Sequence, residues 1–328
     1  YIKFTDNVLM THDPVKLLLE SDPYLKPYES DLKRRFTRIV KTEEMLTGNK
    51  FSLADFASGH EYFGLHFNRN EWIFREWAPN ADAIYLVGDM TAWQEKKKFA
   101  LERINNEGMW EVRLPADAME HGDLYRLRIH WFGGHGDRIP AYSRRVVQDP
   151  NTLIFNAQVW NPPKPFFWKC SDFQLSNDAL LVYEAHVGMA QEDEKVGSFR
   201  EFTLRTLPRI VAAGYNTLEL MAIQEHPYYG SFGYQVSSFF SASSRFGTPE
   251  ALKELVDTAH ALGLRVIVDL IHSHGVSNEV EGLSRFDGTR YQYFHDGPRG
   301  IHEAWDSRCF DYGKYQVLHF LLSNCRFW

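Results

Sequence analysis

The sequence predicts a multidomain β plus α/β chain. It has a helical segment at residues 1–50, an antiparallel β-sandwich at 51–150, a linker at 151–178 and the first three β/α units of an incomplete (β/α)8 barrel at 179–328. Three observations support this class. The length of 328 residues exceeds that of one typical domain. The hydrophobic period changes from helical to two near residue 60, and strands alternate with helices after residue 178.

The first part of the chain has a helical pattern. Its apolar residues recur at nearly helical spacing, namely Phe36, Ile39, Val40 and Leu46. We expect Ser30 to cap the start of this helix, because serine accepts hydrogen bonds from the free backbone N–H groups there. Gly48 is expected to end it, because glycine adopts the left-handed conformation that follows many helices. The pattern indicates a structural helix.

The next part fits a series of short antiparallel strands. Alternating or apolar runs bounded by Gly, Asn or Pro cover residues 62–66, 72–76, 83–87, 110–114 and 124–129. Short strands at this spacing are typical of a β-sandwich. The residues from 149 to 178 are rich in Pro and Asn, and proline cannot donate a hydrogen bond in a sheet, so this stretch is predicted to be a linker.

The remaining residues alternate between apolar strands and helices. Strands are predicted at 179–184, 217–221 and 265–271, and helices at 206–214, 249–263 and 314–327. Thr248 and Pro249 suit a helix start, as N-cap and first helical residue. The run at 265–271 is almost entirely apolar, as expected of a strand buried on both faces in a parallel sheet. This order predicts a barrel with its helices outside.

Composition excludes several classes of function. The net charge is −7 and no basic tract offsets it, so we expect no nucleic-acid partner. The longest apolar runs are too short for a membrane span, so no membrane partner is expected. Cys170, Cys309 and Cys325 have no zinc or CxxC spacing and indicate reduced thiols in a cytoplasmic protein, which we expect to be a monomer.

The predicted strand at 265–271 contains a carboxylate, Asp269, and is followed by His272 and His274. The carboxyl ends of barrel strands face the active-site mouth, and a carboxylate there is costly to bury without a partner or a role. Two interpretations follow. Asp269 and the two histidines could ligate a metal, since both residue types bind zinc. Alternatively, these groups could form hydrogen bonds with the hydroxyls of a sugar.

Several motifs in this region resemble those of the α-amylase superfamily, and of eukaryotic-type glycogen and starch branching enzymes in particular. The Asp269-to-His274 spacing is similar to the first conserved region of the superfamily. The resemblance to branching enzymes extends over residues 180–328 and rests on segments at 221–235, 247–263, 286–289, 293–300 and 305–308. The joint occurrence of these motifs in this order is far more specific than the Asp-to-His spacing alone.

The resemblance implies roles for individual side chains. Tyr234 is expected to form the aromatic platform under the glucose beside the scissile bond. Asp269 and His274 are expected to form hydrogen bonds with the hydroxyls of that glucose. Gln235 and His226 are weaker candidates for the same site. The implied ligands are α-1,4-glucans such as glycogen, amylose and maltooligosaccharides, with no metal and no cofactor.

The predicted sandwich resembles the family-48 carbohydrate-binding module. The resemblance rests on Trp77 to Ala81 and on the segment 87–93. It implies that Trp93 stacks on a glucose ring with Arg126 beside it, and Trp77 is counted among the candidate glucan-binding residues. Core packing of Trp93 and a plain surface charge at Arg126 are the alternatives. The module more often has Asn-Gly where this chain has Thr91-Ala92.

The resemblance implies a branching reaction that cuts an α-1,4-glucan and rejoins it through an α-1,6 bond with retention. Such a reaction needs a carboxylate nucleophile and a carboxylic acid. In the family these carboxyls end later barrel strands, so we expect none of them within this chain and all of them beyond Trp328. The polypeptide alone is then expected to be inactive. A debranching enzyme of the same superfamily and a non-catalytic glucan-binding protein remain alternatives.

Overall fold

The computed structural model describes residues 13–328, so the first twelve residues of the predicted helical segment lie outside the described residues. The chain divides into two compact units, at Ala57 and Ser58. The described part of the first unit is helical: α1 (Pro14–Ser21), a 3-10 helix (Pro23–Tyr28), α2 (Glu29–Thr47) and α3 (Leu53–Phe56).

The main N-terminal helix ends as predicted but starts differently. Gly48 follows α2 with a φ of 58°, the left-handed conformation expected of a helix-ending glycine. Ser30 was predicted to be the N-cap, and this is wrong because Ser30 lies inside α2. The preceding 3-10 helix runs directly into α2, so Tyr28 occupies the cap position and no side chain caps it.

The second unit begins with α4 (Gly59–Tyr62) and continues as two antiparallel sheets. One has the strand order β1-β2-β5-β4, and the other has the order β3-β6-β9-β8 with β7 paired to β6. The strands are β1 (Gly64–Asn68), β2 (Glu71–Trp77), β3 (Ala81–Gly88), β4 (Glu102–Arg103), β5 (Met109–Pro115), β6 (Leu124–Trp131), β7 (Gly134–Arg138), β8 (Val146–Gln148) and β9 (Phe155–Gln158). Phe74, Leu86 and Leu127, from both sheets, are fully buried in one core, as the period of two predicts.

The sandwich extends beyond its predicted limit at residue 150. Strand β9 falls within the predicted linker and pairs with both β6 and β8. The stretch from 159 to 181 then contains no helix or strand. Its middle is held by the later helix at Pro249–Ala261, where the Asp257 carboxylate accepts hydrogen bonds from the backbone N–H groups of Lys169 (3.0 Å) and Cys170 (2.8 Å).

A parallel sheet of three strands follows, in the order β10 (Val182–Ala185), β11 (Thr217–Leu220) and β14 (Arg265–Val268). The first crossover contains α5 (Phe199–Glu201), a π-helix (Phe202–Thr206) and α6 (Leu207–Ala212), and the second contains α7 (Pro249–Ala261). As predicted, Thr248 caps α7 by accepting a hydrogen bond from the N–H of Ala251 (3.2 Å). Leu218 and Leu255 are fully buried in one cluster between the sheet and its helices.

Strand β14 is less buried than predicted. Ile267 is 39% exposed, although the apolar run predicted burial on both faces. Strand β14 is an edge strand of this sheet, so no strand within residues 13–328 pairs with its outer edge and covers that side of the sheet.

Two smaller sheets lie beyond the ends of these strands. One is the hairpin of β12 (Gln224–Glu225) and β13 (Ser238–Ala242). The other has the order β15 (His274–Val276), β17 (Ser307–Cys309) and β16 (Ile301–His302). Helix α8 (Tyr315–Phe327) then packs its buried residues Val317 and Phe320 into the sandwich core. None of the helices in residues 13–328 is long and apolar enough to cross a membrane.

Candidate functional site

The structure brings Tyr234 and Asp269 together. Asp269 directly follows β14, and Tyr234 lies in the loop between β12 and β13. The Tyr234 hydroxyl donates a hydrogen bond of 2.8 Å to Oδ2 of Asp269. Burial and this bond raise the pKa of Tyr234 to about 12, so the phenol keeps its proton at neutral pH. The pair therefore presents a half-buried aromatic ring and a carboxylate at the same strand end.

His274 joins the pair through the backbone. Its Nε2 lies 2.9 Å from the carbonyl oxygen of Tyr234, and its Nδ1 lies 2.8 Å from the Ser273 hydroxyl. A carbonyl only accepts, so Nε2 carries the proton and Nδ1 accepts from Ser273. His274 is 4% exposed, and burial lowers its pKa, which favours the neutral ring. In this state both nitrogens are occupied, and the imidazole holds the Tyr234 loop.

Gln235 connects this loop to an exposed tryptophan. Its side-chain amide donates a 3.0 Å hydrogen bond to the carbonyl oxygen of Trp305. Trp305 is 55% exposed, and its ring centroid lies 5.2 Å from that of His274. Sequence reasoning used Trp305 only as part of a family motif and gave it no role. Its place beside His274 depends on the pairing of β15 with β17, which the local pattern does not reveal.

His226 does not join this group. It is fully buried, and its Nδ1 lies 2.9 Å from the Gln224 carbonyl oxygen. Burial lowers its pKa to about 4, so the ring is neutral. Its ring neighbour is Phe246, at 6.2 Å. These contacts make His226 part of the packing around β12, and a role for it near the reacting sugar stays a prediction.

The arrangement does not favour the metal alternative. Nε2 of His272 lies 2.8 Å from Oδ1 of Asn324, whereas Nε2 of His274 faces the Tyr234 carbonyl. The two rings thus use different partners and do not converge with Asp269. Across residues 13–328, no group of three or more His, Cys, Asp or Glu side chains is arranged to hold a metal ion.

On the sandwich, Trp93 lies half-buried at the end of a tight turn after β3. Its indole N–H donates a 3.3 Å hydrogen bond to Oδ1 of Asp89, and Oδ2 of Asp89 accepts from the N–H of Leu124 at 2.8 Å. Ala92 and Trp93 both have positive φ, at 53° and 61°. The turn thus keeps a left-handed residue at position 92 even though the chain has alanine there instead of glycine.

Arg126 is not exposed beside Trp93, which corrects that expectation. It is 6% exposed, and its Nε donates to the Phe155 carbonyl oxygen (3.0 Å) and to Oδ1 of Asn156 (2.9 Å). Its NH2 group lies 4.0 Å from the Glu281 carboxylate. Strand β9 and the loop that carries Glu281 cover this guanidinium, so its role is structural.

Trp77 lies in the wall of a pocket of about 210 Å³ rather than on an open surface. Its ring is 7% exposed, and its indole N–H donates to the Glu107 carbonyl oxygen at 3.0 Å. The other lining residues are mostly aromatic: Tyr62, Phe63, Tyr142, Tyr293 and Tyr315, with Met109, Gln316 and His319. The pocket therefore offers mainly aromatic faces, and the hydroxyl of Tyr293, one of its lining residues, is buried with no hydrogen-bond partner among the described residues.

Comparisons with known protein families agree with this architecture. Residues 62–152 match the model of carbohydrate-binding module 48 (isoamylase N-terminal domain). Residues 212–299 match the catalytic domain of alpha amylase. The first match covers most of the sandwich, and the second covers the Tyr234, Asp269 and His274 group.

Curated relatives extend the similarity to nearly the whole chain. The 1,4-alpha-glucan-branching enzyme of Dictyostelium discoideum is 42% identical over 334 aligned residues, which cover 100% of this chain and 48% of the relative. The enzyme of Aspergillus oryzae is 45% identical, with 95% of this chain and 46% of the relative covered. The chain therefore spans about half the length of these relatives.

Solved structures of lower identity share the fold. A pullulanase from Bacillus acidopullulyticus aligns with a TM-score of 0.66 at 16% identity, over 81% of this chain and 36% of that one. A pullulanase from Paenibacillus barengoltzii, solved in complex with maltohexaose and alpha-cyclodextrin, aligns with a TM-score of 0.65 at 18% identity. This alignment covers 87% of this chain and 50% of the pullulanase. The identity to the curated relatives makes this chain a homologue of 1,4-alpha-glucan-branching enzymes over nearly its whole length. The two family matches show that it contains a carbohydrate-binding module 48 followed by part of an alpha-amylase catalytic domain.

Proposed function

We propose that this chain forms the glucan-binding module and the opening part of the catalytic barrel of a branching enzyme, which cleaves an α-1,4-glucan and rejoins the released chain through an α-1,6 bond. The observation that carries the proposal is the Tyr234, Asp269 and His274 group at one strand end. This group lies in a chain 42% identical to a curated branching enzyme. The pullulanases share only the fold at 16% and 18% identity, so they give the debranching alternative no comparable support.

In this proposal the ring of Tyr234 lies under the glucose whose glycosidic bond is cut. Asp269 accepts hydrogen bonds from the hydroxyls of that glucose through Oδ1, while Oδ2 stays bound to the Tyr234 hydroxyl at 2.8 Å. His274 holds the Tyr234 carbonyl, so its expected contact with the sugar requires the imidazole to exchange this partner. A carboxylate that is already held in position can stabilise the transition state more than the bound substrate, because the charge and the hydroxyl positions of this glucose change as the bond is cut.

The retaining reaction also needs two carboxyls about 5–5.5 Å apart, one as nucleophile and one as acid. Asp269 is engaged with a tyrosine hydroxyl, and we assign neither role to it. We propose that these two groups lie outside residues 1–328. The expected ligands are glycogen, amylose and maltooligosaccharides. The maltohexaose bound in the Paenibacillus pullulanase structure supports this ligand class for the shared fold.

The cellular compartment is also a proposal. Cys170, Cys309 and Cys325 are all free thiols. Free thiols are the usual state of cysteine in the reducing cytoplasm, which is where we propose that this protein acts.

The Trp93 platform gives the first test of glucan binding. Trp93→Ala should weaken maltoheptaose binding by the 328-residue chain while changing the melting temperature little, because the ring is half-buried and its N–H bonds only Asp89. Affinity at such a shallow site should be modest, in roughly the millimolar to high-micromolar range. Isothermal titration and a melting curve measure the two effects.

Trp168→Ala provides the control, because Trp168 is 40% exposed but lies in the segment between the sandwich and the barrel strands. Cellohexaose, with β-1,4 bonds, provides the control ligand. Unchanged maltoheptaose binding together with a large drop in melting temperature would show that Trp93 is a core residue, since a cavity left by tryptophan costs about 3–5 kcal/mol.

A further inference from the structure

Trp305 occupies an unusual position for a tryptophan. It is 55% exposed and lies in a turn whose residues from Glu303 to Asp306 are all exposed. One face of the indole stacks on His302, with ring centroids 4.3 Å apart and planes only 4° from parallel. Since one face is covered in this way and more than half of the side chain is exposed, the opposite face is open to solvent.

The backbone around Trp305 is held rigidly. The turn that carries it connects β16 to β17, and β17 pairs with β15, which begins at His274. The Trp305 carbonyl oxygen accepts hydrogen bonds from the Gln235 amide (3.0 Å) and from the Ser307 hydroxyl (2.8 Å). The exposed ring is therefore presented on a fixed support, which lowers the entropy cost of binding to it.

The turn is also fixed at its other end. Oδ1 of Asp306 accepts a 2.8 Å hydrogen bond from the Ser277 hydroxyl, and the Asp306 carbonyl accepts one of 3.3 Å from the N–H of Ser277. Asp306 takes a φ of 43°, which is uncommon for a residue other than glycine. These bonds anchor the turn directly after Trp305.

The location of Trp305 indicates what would cover its open face. Its ring lies 5.2 Å from His274, whose Nε2 holds the Tyr234 carbonyl, so Trp305 is one side chain away from the Tyr234 platform. Exposed aromatic faces suit the C–H face of a pyranose, because the ring is apolar and its π-cloud attracts polarised C–H groups. A glucan bound at the Tyr234 site continues beyond the bound glucose, and Trp305 is an exposed aromatic ring beside that site.

We propose that the open face of Trp305, backed by His302, binds a second glucose unit of the glucan, next to the unit held by Tyr234 and Asp269. This inference rests on the proposed function, because it assumes that the Tyr234 site takes an α-1,4-glucan. It gives Gln235 the task of positioning Trp305 rather than of contacting the sugar. It also makes Trp305 a determinant of how the glucan is oriented relative to the glycosidic bond that is cut.

Fluorine NMR on the 328-residue chain tests this directly. The chain contains nine tryptophans, and labelling with 5-fluorotryptophan gives each its own resonance. The Trp305 resonance is assigned from its loss in Trp305→Phe. Titration with maltoheptaose should shift it in a saturable manner, whereas cellohexaose should not. The resonance of Trp168, the matched exposed ring outside the site, should stay unchanged with both sugars.

Two other outcomes separate the failure of this inference from that of the proposed function. If other tryptophan resonances shift with maltoheptaose and that of Trp305 does not, the second-unit platform is overturned while glucan binding stands. If no resonance shifts, the proposed function fails as well. Trp305→Ala should weaken maltoheptaose binding, and if it also lowers the melting temperature, Trp305→Phe provides the second variant. It keeps an aromatic face and should retain binding within about threefold of the wild-type value.

Discussion

If the proposed function is correct, replacement of Asp269 by asparagine in the full-length enzyme should reduce kcat for branching by about 30- to 1,000-fold. This corresponds to about 2–4 kcal/mol of transition-state stabilisation, as found when comparable preorganised groups are removed. The Tyr234 hydroxyl donates a 2.8 Å hydrogen bond to Oδ2 of Asp269. The side-chain oxygen of asparagine can still accept this bond, so the local packing is retained. The variant loses the negative charge and one acceptor for a sugar hydroxyl, and this loss is felt most in the transition state.

The kinetic pattern distinguishes this role from a structural one. Asp269→Asn should change kcat much more than KM for long glucans, since most of the glucan lies outside this contact. Asp172→Asn, which neutralises an exposed carboxylate in the linker, should leave both constants unchanged. Activity that is insensitive to Asp269→Asn would remove Asp269 from the site. Loss of activity on addition of a chelator would instead restore the metal interpretation.

A second large effect should appear in the pH dependence of stability. Glu76 is fully buried, and desolvation raises its pKa to about 8, although the backbone N–H groups of Trp77 (3.0 Å) and Ala141 (3.0 Å) donate to it. Its ordinary pKa is 4.5. Between pH 4.5 and about 8, Glu76 therefore keeps its proton in the folded state and releases it in the unfolded state. The contribution of Glu76 to stability is greatest below pH 4.5, falls as pH rises to about 8 and is constant above that.

The variant Glu76→Gln isolates this effect. Glutamine carries no titrating proton, so the free energy of unfolding of the variant, relative to wild type, should rise by about 3–4 kcal/mol between pH 5 and pH 8.5. At pH 5 the variant should be the less stable protein, because an amide nitrogen cannot accept the Ala141 N–H bond. Urea denaturation across this range measures the difference, with the exposed Glu102→Gln as a flat control. A constant difference between Glu76→Gln and wild type would show that Glu76 titrates alike in both states.

Local patterns in the sequence predict the elements of this fold well, because each depends on neighbouring residues. The period of two gives the sandwich strands, and the Thr248-Pro249 start gives α7. Strand β9 was missed because the Pro- and Asn-rich residues around it dominate the local signal. The exposure of Ile267 was missed because burial on both faces also depends on which strands lie beside it.

In the candidate site, too, motifs in the sequence could be interpreted correctly, whereas contacts between distant parts of the chain could not. Tyr234, Asp269 and His274 could be grouped because the resemblance to the α-amylase superfamily implies that all three hold the same glucose, and in the structure Tyr234 forms hydrogen bonds with both Asp269 and His274. Arg126 could not be placed correctly, because what covers it comes from β9 and from a loop more than 150 positions away in the chain. Trp305 reaches His274 only through the pairing of β15 with β17, a non-local contact that no single stretch of sequence specifies.

The products formed from amylose test most directly the proposal that this chain belongs to a branching enzyme. The enzyme that contains this chain should convert α-1,4 bonds into α-1,6 bonds, as counted from anomeric proton signals in NMR, while the number of reducing ends stays constant. The isolated polypeptide 1–328 should form none. A rise in reducing ends without new α-1,6 signals would identify a hydrolase, and α-1,6 bonds made by the isolated polypeptide would place the catalytic carboxyls within it.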